Sequence, residues 1–204
     1  MNSKSSLGIV LSRLAGFEEQ SIELEQYQTP SELAADLLWF AYLQGDIKGR
    51  VILDAGCGPG IFGVGALLLG AKKVIFVDKD KKALALVQKN LAMHRLKGDV
   101  IEADIADITG VDQQVDSVLM NPPFGTKQKH HDKLFLEKAT AFAPVIYTIH
   151  KSNTRSFIEA FCRDVHYTIT NSWNADFPIK KVHEFHKKPK VVVEVRVYRL
   201  ERAT

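Results

Sequence analysis

The residues best suited to chemistry are Asn121-Pro122-Pro123-Phe124, which follow the apolar run at 115–120. Two successive prolines cannot continue a strand or begin an ordinary helical turn without strain, because each fixes φ and lacks an N–H. The chain therefore leaves a buried strand here and turns sharply, with an amide and an aromatic ring held on a corner that Pro122 and Pro123 make rigid. Such a corner can grip a flat substrate bearing an amine. The Asn121 side-chain oxygen can accept one amine N–H and the Pro122 carbonyl the other. Two acceptors favour the pyramidal nitrogen formed in attack, and their dipoles stabilise the developing positive charge. Phe124 can stack on the substrate face. The plainer reading is a proline-rich turn in which Asn121 caps its own backbone. An apolar strand ending in these four residues favours the chemical one.

A second constellation lies earlier in the chain. Asp54-Ala55-Gly56-Cys57-Gly58-Pro59-Gly60 stands between the apolar Val51-Ile52-Leu53 and a helical stretch from Ile61. Glycines allow a tight turn and close approach of a ligand, and the helix start offers unpaired N–H groups. Glycine spacing alone also fits a dinucleotide loop, read from Gly58 to Gly63. The carboxylates move the balance. Asp54 ends the strand where a pyrophosphate would pass; a negative charge there repels phosphate and suits a cationic sulfonium and its amino acid ammonium. Asp78 ends the next strand, where a carboxylate can accept from both ribose hydroxyls. Asp104, near the end of the third, can accept from an adenine amine. Singly, Asp78 could cap a helix in competition with Asp80, and Asp104 could be a loop residue. Together they favour S-adenosylmethionine, with NAD second.

The elements that must position these groups read clearly from periodicity. Strands are expected at 51–53, 74–77, 99–102, 115–120, 145–149, 167–173 and 190–200, and helices at 6–15, 30–44, 61–69, 80–93, 131–142 and 154–163. Thr29 is expected to cap the helix that opens with Pro30. Alternating strands and helices predict an α/β, Rossmann-like fold: a seven-stranded, mostly parallel sheet with an antiparallel edge strand and helices on both faces. Ligands in such sheets bind beyond the carboxyl ends of the strands, where the corner, the glycine loop, Asp78 and Asp104 all fall.

Composition narrows the setting. The 204 residues, 46% of them hydrophobic, suffice for one domain with a sizeable core. The two cysteines, Cys57 and Cys162, are far apart without a CxxC, so neither a disulfide framework nor a cysteine zinc site is expected and a reducing compartment is the simplest setting. The sequence has no apolar run long enough to span a bilayer and no signal-peptide core after its amino terminus, which predicts a soluble cytoplasmic protein. Net charge is only +3, but basic residues cluster at 127–133, 150–155 and 180–190. A charge run is ordinarily a solvated face; three flanking one corner point to a nucleic-acid rim, with Lys127, Lys129, Lys151, Arg155, His186, Lys187 and Lys188 on phosphates and Phe185 stacking. A base inside a duplex cannot reach the corner, so it must be unpaired or flipped out. His150, His183 and His186 lack carboxylate or cysteine spacing; phosphate contact or solvation is expected of them, and no metal site. Trp39 and Trp173 are expected to pack the core.

The sequence resembles class I S-adenosylmethionine-dependent methyltransferases. Residues 54–60 look like their first motif and 121–124 like the amino-methyltransferase motif. Four segments are similar, in order and spacing, to the small methyltransferase-like family that makes N6-methyladenosine in small-subunit ribosomal RNA: Leu24-Glu25-Gln26-Tyr27-Gln28-Thr29; Met120 through Asn121-Pro122-Pro123-Phe124-Gly125-Thr126-Lys127; His150-Lys151-Ser152 with Thr154-Arg155; and Phe185-His186-Lys187-Lys188. The last three are specific to that family rather than to the fold. Eukaryotic members carry another residue where Pro59 stands, a position that would contribute mainly backbone. The resemblance implies cofactor contacts at Gln26, Thr29, Gly56, Pro59, Ile61, Asp78, Asp104, Ile105 and Asn121. It implies a single methyltransferase domain over 1–204, in which a helical segment 1–45 covers the cofactor site of a core 46–204. It also implies RNA as partner, and a small zinc-binding activator protein of the kind that docks on the sheet edge of eukaryotic relatives. Two alternatives stay open on sequence: the same chemistry on a protein glutamine or a DNA adenine, although glutamine enzymes usually carry Tyr where Phe124 stands, and a non-catalytic cofactor-binding factor in ribosome assembly.

Overall fold

The computed structural model describes residues 1, 3–17, 27–109, 111, 114–124, 131–180 and 190–203. Two helices open the chain, α1 (Lys4–Leu11) and α2 (Ser31–Leu43). An alternating core follows: β1 (Val51–Ala55), α3 (Ile61–Leu68), β2 (Lys73–Asp78), α4 (Lys81–Met93), β3 (Asp99–Glu102), β4 (Ser117–Met120), α5 (His131–Phe142), β5 (Val145–Lys151) and α6 (Arg155–Asp164). A hairpin of β6 (Tyr167–Lys180) and β7 (Lys190–Arg202) ends it. The described strands form one seven-stranded sheet ordered β3-β2-β1-β4-β5-β7-β6. β1 to β5 are parallel, and β7 runs antiparallel to both β5 and β6. This is the predicted Rossmann-like α/β layer fold.

The sheet buries both faces, which is why its central strands read as almost unbroken apolar runs. One core joins Leu7, Leu37, Leu38, Val64 and Val87 of α1 to α4 with Ile52, Phe76 and Tyr147 of the sheet. The other joins Leu136 and Ala139 of α5 and Ile158 and Phe161 of α6 with Leu53, Val77, Met120 and Leu200. The amino-terminal segment is fastened by polar contacts as well. Asn90, fully buried on α4, accepts the Ala15 N–H at 2.7 Å and donates to the carbonyls of Ala15 and Pro59 at 2.9 and 3.0 Å. Asp46, between α2 and β1, accepts from the Tyr147 hydroxyl at 2.6 Å and from Arg199 Nε at 2.8 Å.

Two expectations need correction. Thr29 does not cap α2. Pro30 has an extended ψ of 139°, its carbonyl accepts the Ala34 N–H at 2.9 Å, and it is itself the cap residue. The Thr29 side chain bonds elsewhere. The hairpin is longer than its apolar alternation suggested, since pairing continues from Tyr167↔Arg202 to Lys180↔Lys190 through a bulge between Ile169 and Asn171. Its second half buries only alternate residues, Phe177 completely, and Pro178 is tolerated because β6 is an edge strand. Trp39 and Trp173, partly buried, pack against the core as expected.

Candidate active site

Strand register brings the chemistry together. Ala55 at the end of β1 pairs with Val77 on one side and Met120 on the other. The glycine loop, Asp78 and Asn121 therefore emerge side by side from the carboxyl edge of the sheet. The loop folds back over β2: the Cys57 N–H bonds to the Val77 carbonyl at 2.9 Å and the Gly58 N–H to Asp78 Oδ2 at 2.8 Å. Gly56 and Gly58 take left-handed φ values of 65° and 52°. A Cβ at Gly56 would lie 2.8 Å from the Phe135 ring, whereas one at Gly58 would meet only Phe17, at 3.9 Å. The loop is thus packed tightly at its first glycine and open at its second.

The carboxylates divide their work. Asp54 is buried, with Oδ2 accepting the Gly63 N–H at 2.8 Å and Oδ1 left without a partner among the described residues. Burial pushes its carboxyl well above the usual range, opposed by the Gly63 bond and reinforced by the charge of Asp78. Asp78 is raised too, by burial first, while N–H bonds from Asp80 and Gly58 act against the shift. Each carboxylate oxygen keeps a second lone pair for a further donor. Asp104 caps the 3-10 turn Ile105–Asp107 by accepting the Ala106 N–H at 3.1 Å, and pairs with Lys79 at 3.2 Å. Ile61 and Ile105 are buried beneath the loop and turn.

At the corner, Asn121 Nδ2 donates to Thr29 Oγ1 at 3.0 Å. Asn121 Oδ1 is buried and has no partner among the described residues. Buried polar atoms are nearly always satisfied, so an unpaired amide oxygen at a strand end is an acceptor kept for something else. Phe124 carries three neighbours. Tyr27 stacks at 6.3 Å between ring centres and 21° between planes, Phe177 meets it edge-on at 5.4 Å, and Lys151 Nζ lies 5.7 Å from its centre. The corner thus presents an acceptor beside an aromatic face with a cation above it, a set that can hold a planar amine.

Sequence reasoning missed Tyr27 and Phe177. Tyr27 carried a usable signal: it precedes Thr29 by two in an extended stretch ahead of Pro30, so both side chains point the same way. Phe177 carried none, lying beyond the strand that alternation revealed. His150 needs correction. It is 2% exposed, bonded through Nε2 to Thr148 Oγ1 at 2.8 Å, and held neutral by burial, its pKa lowered to about 3. It belongs to the core and not to a basic rim. Arg155 is exposed and bonded to Glu159 at 2.7 Å. Gln26, Lys127, Lys129, Phe185, His186, Lys187 and Lys188 lie outside the described residues. Among the described residues no three His, Cys, Asp or Glu side chains gather as for a metal, and no helix is long and apolar enough to cross a membrane.

The family model of the methyltransferase small domain matches residues 33–142, more than half the chain and the stretch that holds the glycine loop and the corner. The chain belongs to the methyltransferase small-domain family. Within it, the chain is 34% identical over 192 residues to the rRNA N(6)-adenosine-methyltransferase METTL5 of Danio rerio, covering 91% of this chain and 92% of that one. It is 34% identical over 197 residues to Mettl5 of Drosophila melanogaster, also an rRNA N(6)-adenosine-methyltransferase, covering 93% and 92%. The crystal structure of Pyrococcus horikoshii PH1948, a candidate RNA methyltransferase, superposes with a TM-score of 0.91 at 40% identity over the whole of both chains. This small-domain methyltransferase has the class I fold, and its cofactor is S-adenosylmethionine. The residues present fit that cofactor: a left-handed glycine loop open at Gly58, an orphaned buried acceptor on Asp54, and Asp78 at the end of the second strand.

Proposed function

We propose that this methyltransferase transfers a methyl group to the N6 amine of an unpaired adenosine in small-subunit ribosomal RNA. The observation that carries the reading is the buried, unpartnered Asn121 Oδ1 beside the Phe124 ring. S-adenosylmethionine supplies an electrophilic sulfonium methyl. Gly56, Gly58, Pro59 and Ile61 would hold it along the loop, Asp54 and Asp78 would serve its ammonium and ribose, Asp104 and Ile105 its adenine, and Gln26 and Thr29 would close over it.

The chain's own part in the reaction is alignment and charge. An exocyclic adenine amine is a poor nucleophile because its lone pair is conjugated with the ring. Asn121 Oδ1 accepts one amine N–H and the Pro122 carbonyl the other, which favours the pyramidal nitrogen and stabilises its positive charge. Pro122 and Pro123 fix the corner, and Phe124 stacks on the base. Proximity of amine and methyl supplies much of the remaining acceleration. As the N–C bond forms and the S–C bond breaks, nitrogen takes the charge, and its proton then leaves to water. Lys151 and Arg155, with Lys127, Lys129, Phe185, His186, Lys187 and Lys188, form the RNA rim. A small zinc-binding activator on the sheet edge is the proposed protein partner.

A protein glutamine substrate fits less well, because a stacked Tyr27–Phe124 pair with Lys151 above it suits a base and its phosphate rather than a side-chain amide. The test is incubation with labelled S-adenosylmethionine and separated small- and large-subunit RNA, followed by digestion to nucleosides. Label in N6-methyladenosine from the small subunit is expected, lost in Asn121→Ala while cofactor binding is kept. Label in protein alone would sink the reading.

A further inference from the structure

We infer that Thr29 is a positioning residue for the reaction: its hydroxyl holds the Asn121 amide in place at the corner, where Oδ1 can meet the substrate amine. The inference rests on the amine-transfer reading above and concerns a role distinct from holding the cofactor.

An asparagine amide is nearly symmetric in shape and opposite in chemistry at its two ends. With Oδ1 toward the substrate it accepts an amine N–H; turned over, it presents two donors to a group that is itself a donor. The partner that holds the amide comes from residue 29, distant in sequence: Asn121 Nδ2 donates to Thr29 Oγ1 at 3.0 Å, and Oδ1 is buried and without a partner among the described residues. Thr29 is 6% exposed, so water cannot readily replace it, and a buried amide N–H without an acceptor is costly. The placement of Thr29 has a physical origin. Residue 29 is held extended by Pro30, and in that conformation Tyr27 and Thr29 face the same way, one onto Phe124 and the other onto Asn121.

Thr29→Val keeps the shape and removes the acceptor, and Thr29→Ser keeps the acceptor. At saturating S-adenosylmethionine and RNA, Thr29→Val is expected to lose about 100-fold in kcat, the usual cost of a misplaced catalytic group. The KM for RNA stays close to the parent value, and Thr29→Ser recovers most of kcat. Thr29→Ala gives the same split where valine disturbs folding, with circular dichroism as the check. If the valine and alanine variants weaken cofactor binding yet reach the parent kcat at saturation, Thr29 holds the cofactor only and the inference is overturned. Asn121→Ala in the same assay separates the two failures. A dead Asn121→Ala beside a fully active Thr29→Val removes the role of Thr29 alone, whereas an active Asn121→Ala removes the amine-transfer reading itself.

Discussion

Tyr27 and Phe124 lie nearly parallel, 6.3 Å apart and 21° between planes, although one precedes α2 and the other ends the turn after β4. The amino-terminal segment therefore supplies a ring to the corner where the substrate is proposed to sit. Stacking of a base on an aromatic ring is worth about 1–3 kcal/mol. Tyr27→Ala is expected to raise the KM for RNA by the corresponding factor of roughly 5 to 150, and Tyr27→Phe to stay near the parent. Steady-state kinetics at saturating cofactor check this; an unchanged KM for RNA would exclude Tyr27 from the base site.

Lys151 is the basic residue that the described structure brings to the corner, 5.7 Å above Phe124. A lysine that neutralises one phosphate of a single strand contributes about 0.7 to the slope of log affinity against log salt. Lys151→Gln is expected to weaken RNA binding and reduce that slope by about this amount, measured by fluorescence anisotropy between low and moderate salt. Weaker binding at an unchanged slope would assign Lys151 to the ring alone.

His150 makes stability depend on pH. Burial lowers its pKa from 6.5 to about 3, so the folded state favours the neutral ring while the unfolded state takes up a proton near pH 6.5. The contribution is fully present above that pH and is lost progressively as pH falls toward 3. Between pH 7 and 5 the loss is on the order of 2 kcal/mol. Urea unfolding of the parent and of His150→Gln should show the variant's stability falling less over that interval. Parallel pH dependences would rule out His150 as the source.

Much of this protein was legible in its sequence because the signals are local. Two prolines after an apolar strand determine a turn whatever surrounds them, and glycines between a strand and a helix determine a loop that backbone and ligand can share. The order of strands and helices followed from hydrophobic periodicity, which is set by burial on two faces of a sheet. Only the tertiary structure decided what crosses between distant segments. Thr29 read as a helix cap because its neighbour is proline; it bonds to Asn121 instead, since packing of α2 brings it to the end of β4. His150 read as part of a basic run, yet strand alternation turns it inward onto Thr148. Tyr27, Lys151 and Phe177 come to Phe124 from three separate parts of the chain. Sequence thus determined which groups stand at the strand ends, while the hydroxyl that bonds the Asn121 amide is one that only folding could bring there.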